Sequence, residues 1–399
     1  MSPLVPSERR STGSLIQGGE TMSLFLAGDV MTGRGIDQVL PHPADPNIFE
    51  FYAKSAQDYV KLAERANGPI ARPVSFDYIW GDALAELDCR KPDARIINLE
   101  TALTTSANPA PKGINYKMSP ANIGAITAAD IDCCILANNH VLDWGPLGLL
   151  EGLTTLEQAG VRYAGAGRND IAAAAPAILT YDKGRVLVFA FASPSSGVPL
   201  SWAAATETPG VNVISRFSPQ AADRFGEQVR AIARAGDIVV ASIHWGGNWG
   251  YEIAHEQAEF AHRLVETCDV DIVHGHSSHH VKGIEVHRGK LILYGCGDFI
   301  DDYEGITGYE EFRDDLVLMY FPTLRINDGT LMSLEMVPLP LRIITKLNPI
   351  FYLVNGLRYG MLGVSDVNVV FSMALAAVLA VALFIWVERL FRRGYKLRS

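Results

Sequence analysis

Short apolar runs recur along most of the chain, at Leu24–Ala27, Ala94–Leu99, Ile131–Ala137, Val186–Phe191, Asp237–Ile243, Val270–Val273 and Leu291–Tyr294. Each is too short for a typical helix and too continuously apolar for a half-exposed strand, so these runs predict strands buried on both faces. Helical patterns lie between several of them. Gly148–Ala159 puts Leu149, Leu150, Leu153 and Leu156 on one face, and Gly160 supplies a stop. Pro219–Ala235 and Glu252–Thr267 read the same way. Alternation of this kind predicts an α/β domain.

The two ends follow other rules. Residues 1–21 are polar and irregular, with no apolar run that would make a secretory signal. Met22, just ahead of the first strand, is an equally good start. Near the other end, Val369–Val387 holds no charged residue. As a helix it would span about 28 Å, close to the hydrocarbon thickness of a bilayer. Arg389, Arg392, Arg393, Lys396 and Arg398 follow it, a cluster that favours the cytoplasmic side. That preference would put the large domain outside, yet nothing ahead of it resembles an export signal. The expectation is therefore a C-terminal membrane anchor with the catalytic domain in the cytoplasm. The chain divides into a disordered leader at 1–21, an α/β domain at 22–340, an interfacial segment at 341–366, and a transmembrane helix with basic tail at 367–399.

Charge sharpens this division. The whole chain carries a net −10, but residues 341–399 hold eight Lys/Arg against two Asp/Glu. The remainder is strongly acidic, which argues against a nucleic-acid-binding surface. The five cysteines are dispersed and include no CxxC pair, so a disulfide framework is not expected and a reducing compartment is.

Titratable residues gather just after the predicted strands. They are Asp29 to Arg34, Asn98-Leu99-Glu100, Asn138-Asn139-His140 with Asp143, His244, the stretch His274 to His280, and Gly295-Cys296-Gly297-Asp298. In open α/β sheets the carboxyl ends of the strands share one rim, where ligands bind. Imidazoles, carboxylates and an amide oxygen together suit one or two divalent ions such as Zn, Mn or Fe. Five of the ten histidines fall within residues 274–287. Rival chemistries are weaker. Asp29 alone could be a helix cap. Gly28, Gly33 and Gly35 do not make a dinucleotide fingerprint. Ser193 and Ser195 lack the elbow of a serine hydrolase.

The segments GDVMTGR, NLE, ANNHVLDWG, GLTTLEQAGVRYAGAGRN, IHWGGNWGYE and GHSSHHVKGIEVHRGKLILYGCGDF occur in the order seen in the CapA-type family, which the chain resembles over about 22–338. That family is linked to capsule and poly-γ-glutamate synthesis and to calcineurin-like metallophosphoesterases. The resemblance implies an αββα sandwich of two mixed sheets with metals at one rim. It implies Asp29, Glu100, Asn139, His244, His276 and His279 as metal ligands, with Glu100 bridging. It implies His140 as the acid or transition-state donor, oriented by Asp143. Arg34, with Lys117 and His280 as weaker matches, would hold substrate anions. Two departures stand out: Met31 occupies a position usually held by histidine, and the closing pair is spaced H-S-S-H. The implied activity is metal-dependent hydrolysis at a phosphoryl or acyl centre, on a phosphoester or on an anionic polymer such as poly-γ-glutamate. The rival is a non-catalytic accessory protein that binds or hands over that polymer. Leu341–Ser399 resembles the end of an ABC-2-type transporter permease, with a re-entrant segment and last transmembrane helix, so the chain reads as two pieces joined between Pro338 and Arg342.

Overall fold

The computed structural model describes residues 20–303, 308–313, 316–340 and Ala374. Residues 64–69 and 340–399 cluster as a second unit. In chain order the strands of its two main sheets are β1 (Thr21–Val30), β2 (Ala94–Leu99), β3 (Cys133–Ile135), β4 (Arg162–Ala164), β5 (Ala177–Tyr181), β6 (Gly184–Ala192), β7 (Ile238–His244), β8 (Ile272–His276), β9 (Ile284–His287), β10 (Lys290–Leu293), β11 (Asp298–Ile300), β12 (Leu316–Arg325) and β13 (Leu331–Pro340). The helices used here are α1 (Arg34–Val39), α2 (Gly145–Ala159), α3 (Pro219–Ile232) and α4 (His255–Thr267).

The first sheet has the order β13-β12-β1-β2-β3-β4, with β11 also pairing β1. Strands β1 to β4 and β11 are parallel and β12 is antiparallel to β1. The second sheet runs β9-β10-β8-β7-β6-β5, parallel in its centre with antiparallel edges. Both sheets are thus mixed.

Alternation along the central strands of the second sheet explains how it is covered. Leu187, Phe189, Phe191, Val239, Ala241, Ile243 and Val273 point one way and pack with Phe225, Val229, Phe260 and Leu264 of α3 and α4. Successive side chains of a strand face opposite sides, so Ser242, His244, His274 and His276 point the other way. They are wholly buried. His274 Nε2 lies 2.9 Å from the carbonyl oxygen of Ala27 in β1, which joins the two sheets across this inner face. Apolar contact on one side and buried imidazoles on the other make β7 and β8 unusual strands.

All seven expected runs fall on strands, while β4, β5, β9, β11, β12 and β13 were not among them. β8 begins later than the apolar run and continues through His276, and β7 extends to His244. Polar residues disguised these strand ends because their side chains bond to one another and, through His274, to the opposite sheet. Helix α3 ends at Ile232, since Ala233 is extended and Arg234 N donates to Asp237 Oδ2 at 2.7 Å on the way into β7. Gly160 closes α2 at φ 75°, as its lack of a Cβ allows. All five cysteines are free thiols.

The expected membrane anchoring requires correction. Among the described residues no helix is long and apolar enough to cross a membrane, and the run at 369–387 lies outside the described residues but for Ala374. The anchored, inward-facing placement built on that run is withdrawn with it. Of the expected leader at 1–21, residues 1–19 lie outside the described residues, whereas Thr21 already opens β1, a correction to that boundary; the segment at 341–366 also lies outside them.

Candidate metal centre

Close backbone approach assembles the rim. Asp29 and Asp298 are register partners between β1 and β11, and Asp29 N donates to the Gly297 carbonyl at 3.0 Å. A Cβ on Gly28 would fall 1.8 Å from that same oxygen, so only glycine lets the strands meet here. Glu100 follows β2, Asn139 and His140 follow β3, and His244 and His276 end β7 and β8 as register partners.

These elements bring ligand atoms together in two groups that share one carboxylate. Asp29, His244 and His276 form one, and Asp29, Glu100 and Asp298 the other, with the atoms of each within 4.8 Å. His244 Nδ1 and His276 Nδ1 are 2.8 Å apart, and His276 Nδ1 is 3.8 Å from Asp29 Oδ1. His244 Nε2 lies 3.1 Å from Asn139 Oδ1 and 3.9 Å from Glu100 Oε1. Every residue of both groups is buried.

Such crowding is electrostatically costly without a cation. Burial, and then the Asp298 carboxylate, push Asp29 up to about 8. Burial and then Asp29 hold Glu100 well above the usual carboxylate range. The imidazoles are driven the other way, mainly by burial, so His244 and His276 are neutral. Neutral imidazoles beside carboxylates that resist ionising form a donor set suited to a divalent ion, which removes the repulsion that protons would otherwise have to quench.

A directed chain of hydrogen bonds prepares one of these donors. Burial pushes His274 down to about 4, so it is neutral, and its Nε2–H must donate to the Ala27 carbonyl. His274 Nδ1 is then an acceptor, 3.1 Å from Ser242 Oγ, which gives it its proton. Ser242 Oγ in turn accepts from His276 Nε2 at 2.9 Å. The lone pair of His276 is left on Nδ1, aimed at Asp29 and His244. Outer partners of this kind set the tautomer of a metal-ligating histidine.

His140 is held beside the groups by Asp143, with Nδ1 2.6 Å from Oδ2, and stacks on Tyr116 at 3.8 Å between ring centroids. Burial pushes it down to about 4, against the pull of Asp143 and with help from Lys112, whose Nζ is 2.8 Å from Asp143 Oδ1. Its Nε2 faces Glu100 Oε1 at 3.9 Å.

Four expected residues sit differently. Arg34 is buried in α1 and bonded to Glu50 at 2.9 Å, to the Tyr59 hydroxyl at 2.7 Å and to Asp302. Its guanidinium holds protein carboxylates, which corrects the anion-binding expectation. His279 is not among the clustered ligand atoms: Nδ1 pairs with Asp298 at 2.9 Å and Nε2 lies 2.9 Å from Asn248 Nδ2. Burial opposes its charge, but Asp298 outweighs it and raises His279 to about 9. Lys117 lies over the Trp144 ring at 3.8 Å, and His280 stacks on Phe312.

Two residues went unassigned from sequence. Asp298 takes a place in the carboxylate group, and the signal for it was its position right after the last strand of the rim motif. Asn98 donates to Asp29 Oδ1 at 2.7 Å and accepts from Asn138 Nδ2 at 3.1 Å, linking the first and third rim segments.

Known proteins resemble this chain at several levels. A "Probable polyglutamine synthesis accessory protein" of Mycobacterium tuberculosis is 47% identical over 323 residues, 80% of this chain and 85% of that protein. The "PGA biosynthesis protein CapA" of Bacillus subtilis is 24% identical over 75% of this chain and 68% of its own length. Over 71 residues the chain is 38% identical to the "Inner membrane transport permease YadH" of Escherichia coli, covering 18% of this chain and 28% of the permease. Among solved structures, a phosphatase of Mycoplasma pneumoniae aligns with TM-score 0.46 at 11% identity, over 81% of this chain and 94% of that one. The family described as bacterial capsule synthesis protein PGA_cap matches residues 23–303, and the chain, carrying that family's sequence across most of its length, belongs to it.

Proposed function

We propose that this chain is a metal-dependent hydrolase of metallophosphoesterase type, built on an αββα sandwich, that acts on an anionic polymer such as poly-γ-glutamate or on a phosphoester of cell-envelope metabolism. The observation that carries this reading is the pair of buried ligand groups sharing Asp29. One or two divalent ions, of manganese, iron or zinc, would be held by Asp29, Glu100, Asp298, His244 and His276, with Asn139 as an amide donor. Asp298 makes good the ligand that Met31 cannot provide, Met31 being buried and apolar. Bound there, the metal supplies Lewis-acid polarisation of the scissile group and acidifies the attacking water.

The chain's own residues supply the rest. His140 rests neutral with Nδ1–H on Asp143, so its Nε2 lone pair faces the rim and can take a proton from an approaching nucleophile or donor group. Asp143 fixes that tautomer and steadies the imidazolium formed. Asn98 holds Asp29 in place, and burial on every side keeps bulk water from screening these charges. The α/β domain is proposed to end near residue 340, because both main sheets close by then.

The test is phosphatase activity on a generic phosphoester with added Mn²⁺, expected in the native chain and lost in His244→Ala and in Asp298→Asn. A second reading is favoured by the description of the Mycobacterium relative as an accessory protein: the same site binds the polymer without cleaving it. Metal-dependent retention of poly-γ-glutamate with no release of shorter chains would select that reading.

A further inference from the structure

Residues 105–115 follow the second rim segment as a connection whose sequence stiffens it. Pro109 and Pro111 fix two φ angles, and Gly113 turns the chain at φ 84°, a value that residues with a Cβ disfavour. Hydrogen bonds pin both sides of this turn to one residue just ahead of α2. Ala110 N donates to the Asp143 carbonyl at 2.7 Å, and Asn115 Nδ2 to the same oxygen at 3.0 Å. Lys112 lies between these anchors, where the chain is exposed. Its side chain nevertheless turns inward, and only 25% of it is exposed.

The ammonium ends where the rim lacks a partner. Asp143 is wholly buried, and its Oδ2 accepts from Tyr116 N and from His140 Nδ1 at 2.6 Å each. Its Oδ1 has Lys112 Nζ at 2.8 Å and no other partner among the described residues. The same ammonium donates to the Asn139 carbonyl and stands 3.4 Å from His140 Nδ1. It also lies 5.4 Å from the centroid of the Trp202 ring, within cation–π range. A carboxylate, a carbonyl and an aromatic face thus surround it, the partners of a cation that holds protein segments together rather than of one that waits for a substrate anion. A buried carboxylate oxygen left without a partner is costly. Removing Lys112 therefore lets Asp143 turn, and with it the His140 ring, whose Nε2 faces Glu100.

We propose that Lys112 is a positioning residue of the rim: it straps residues 105–115 across the His140–Asp143 pair and, by fixing the Asp143 carboxylate and the Asn139 backbone, aims His140 Nε2 at the metal-binding groups. What the aimed imidazole does rests on the hydrolytic reading; the strap itself rests on geometry. Lys112 touches no substrate, so it acts on the chemical step and leaves substrate binding alone. It stands 28 positions before His140 in the chain, outside every rim segment, and only the fold brings the two together.

The experiment uses the full chain with Mn²⁺ and a generic phosphoester. Lys112→Ala should lower kcat about 10- to 100-fold with KM unchanged, a part of the roughly 10²–10⁴ that a positioned acid or base contributes. Chemical rescue separates the cation from the bulk of the side chain. Cys89 is the exposed cysteine and the other four are buried, so Lys112→Cys is made together with Cys89→Ser and alkylated. Treatment with 2-bromoethylamine rebuilds an ammonium at the same reach and should restore most of kcat, whereas the neutral adduct of iodoacetamide should not. A native kcat in Lys112→Ala, or equal recovery with both reagents, would overturn the inference. Should the native chain hydrolyse nothing, the hydrolytic reading falls and the strap is read from the metal-free protein by proton NMR. The His140 Nδ1–H on Asp143, identified by its loss in His140→Asn, should give a downfield signal protected from exchange with water. It should vanish in Lys112→Ala and return on aminoethylation of the cysteine variant; its persistence in Lys112→Ala would overturn the inference whatever the activity.

Discussion

Ser242 Oγ lies 2.9 Å from His276 Nε2, and this one contact decides which nitrogen of His276 is available to a metal. Serine is small enough to fit between the sheets, and its single proton is drawn off by His274, so it can only accept from His276. Register between β7 and β8 makes the relay possible, since Ser242 faces His274 and His244 faces His276 one repeat further on.

Replacing Ser242 by alanine removes this control with little change of volume. The expected outcome is a loss of about 10- to 100-fold in metal affinity at the rim, with the fold retained. Calorimetric titration with Mn²⁺ or Zn²⁺ checks it. Unchanged affinity would mean that the tautomer of His276 is set in some other way.

At Gly28 the prediction concerns backbone. An alanine there drives its Cβ against the Gly297 carbonyl, and neither strand can yield without moving Asp29 or Asp298. Overpacking of this kind costs about 1–3 kcal/mol. Gly28→Ala should therefore lower stability by that amount in chemical denaturation and also reduce metal content. Wild-type values for both would show that the strand contact is looser than described.

A pH effect follows from Glu151 on α2. Its carboxylate accepts from Thr104 Oγ1 at 2.6 Å and from Thr105 N and Oγ1 at 2.8 Å each. Burial works to raise it, but these donors and Lys117 prevail and hold it below the ordinary value of 4.5. A lowered folded-state value means stability present above 4.5 and lost as pH falls through the folded value. Glu151→Gln should be slightly less stable than the native chain at pH 7, by less than about 1 kcal/mol because solvent screens the group. That difference should shrink on acidification below pH 4.5. Unfolding curves at pH 7 and pH 3.5 measure it, and a gap that widens in acid would contradict the assignment.

Residues 22–340 expressed alone should fold. All of both main sheets but Thr21, the first residue of β1, lies within them, and the helices α3 and α4 that cover the second sheet are included. A single cooperative thermal transition is the expected result, and an insoluble or molten product would contradict the proposed boundary.

Where seven of the strands run could be read from the chain alone, but not the order in which they pair. Buried parallel strands demand continuous apolar runs, and β2, written as Ala94–Leu99 in the apolar pattern, has those same limits in the fold. The rim residues follow because strand ends share one edge whatever the details of packing. Only the tertiary structure decided what each polar side chain does there. Arg34 meets Asp302 across 268 residues and becomes part of a buried ion network. His279 turns to Asp298, Asp298 joins the carboxylates, and Ser242 gains meaning only when His274 and His276 lie beside it. Hydrophobic periodicity is a local property, set by which face of each element is buried. The role of a buried polar group depends on the one partner that satisfies it, and that partner comes from a distant part of the chain.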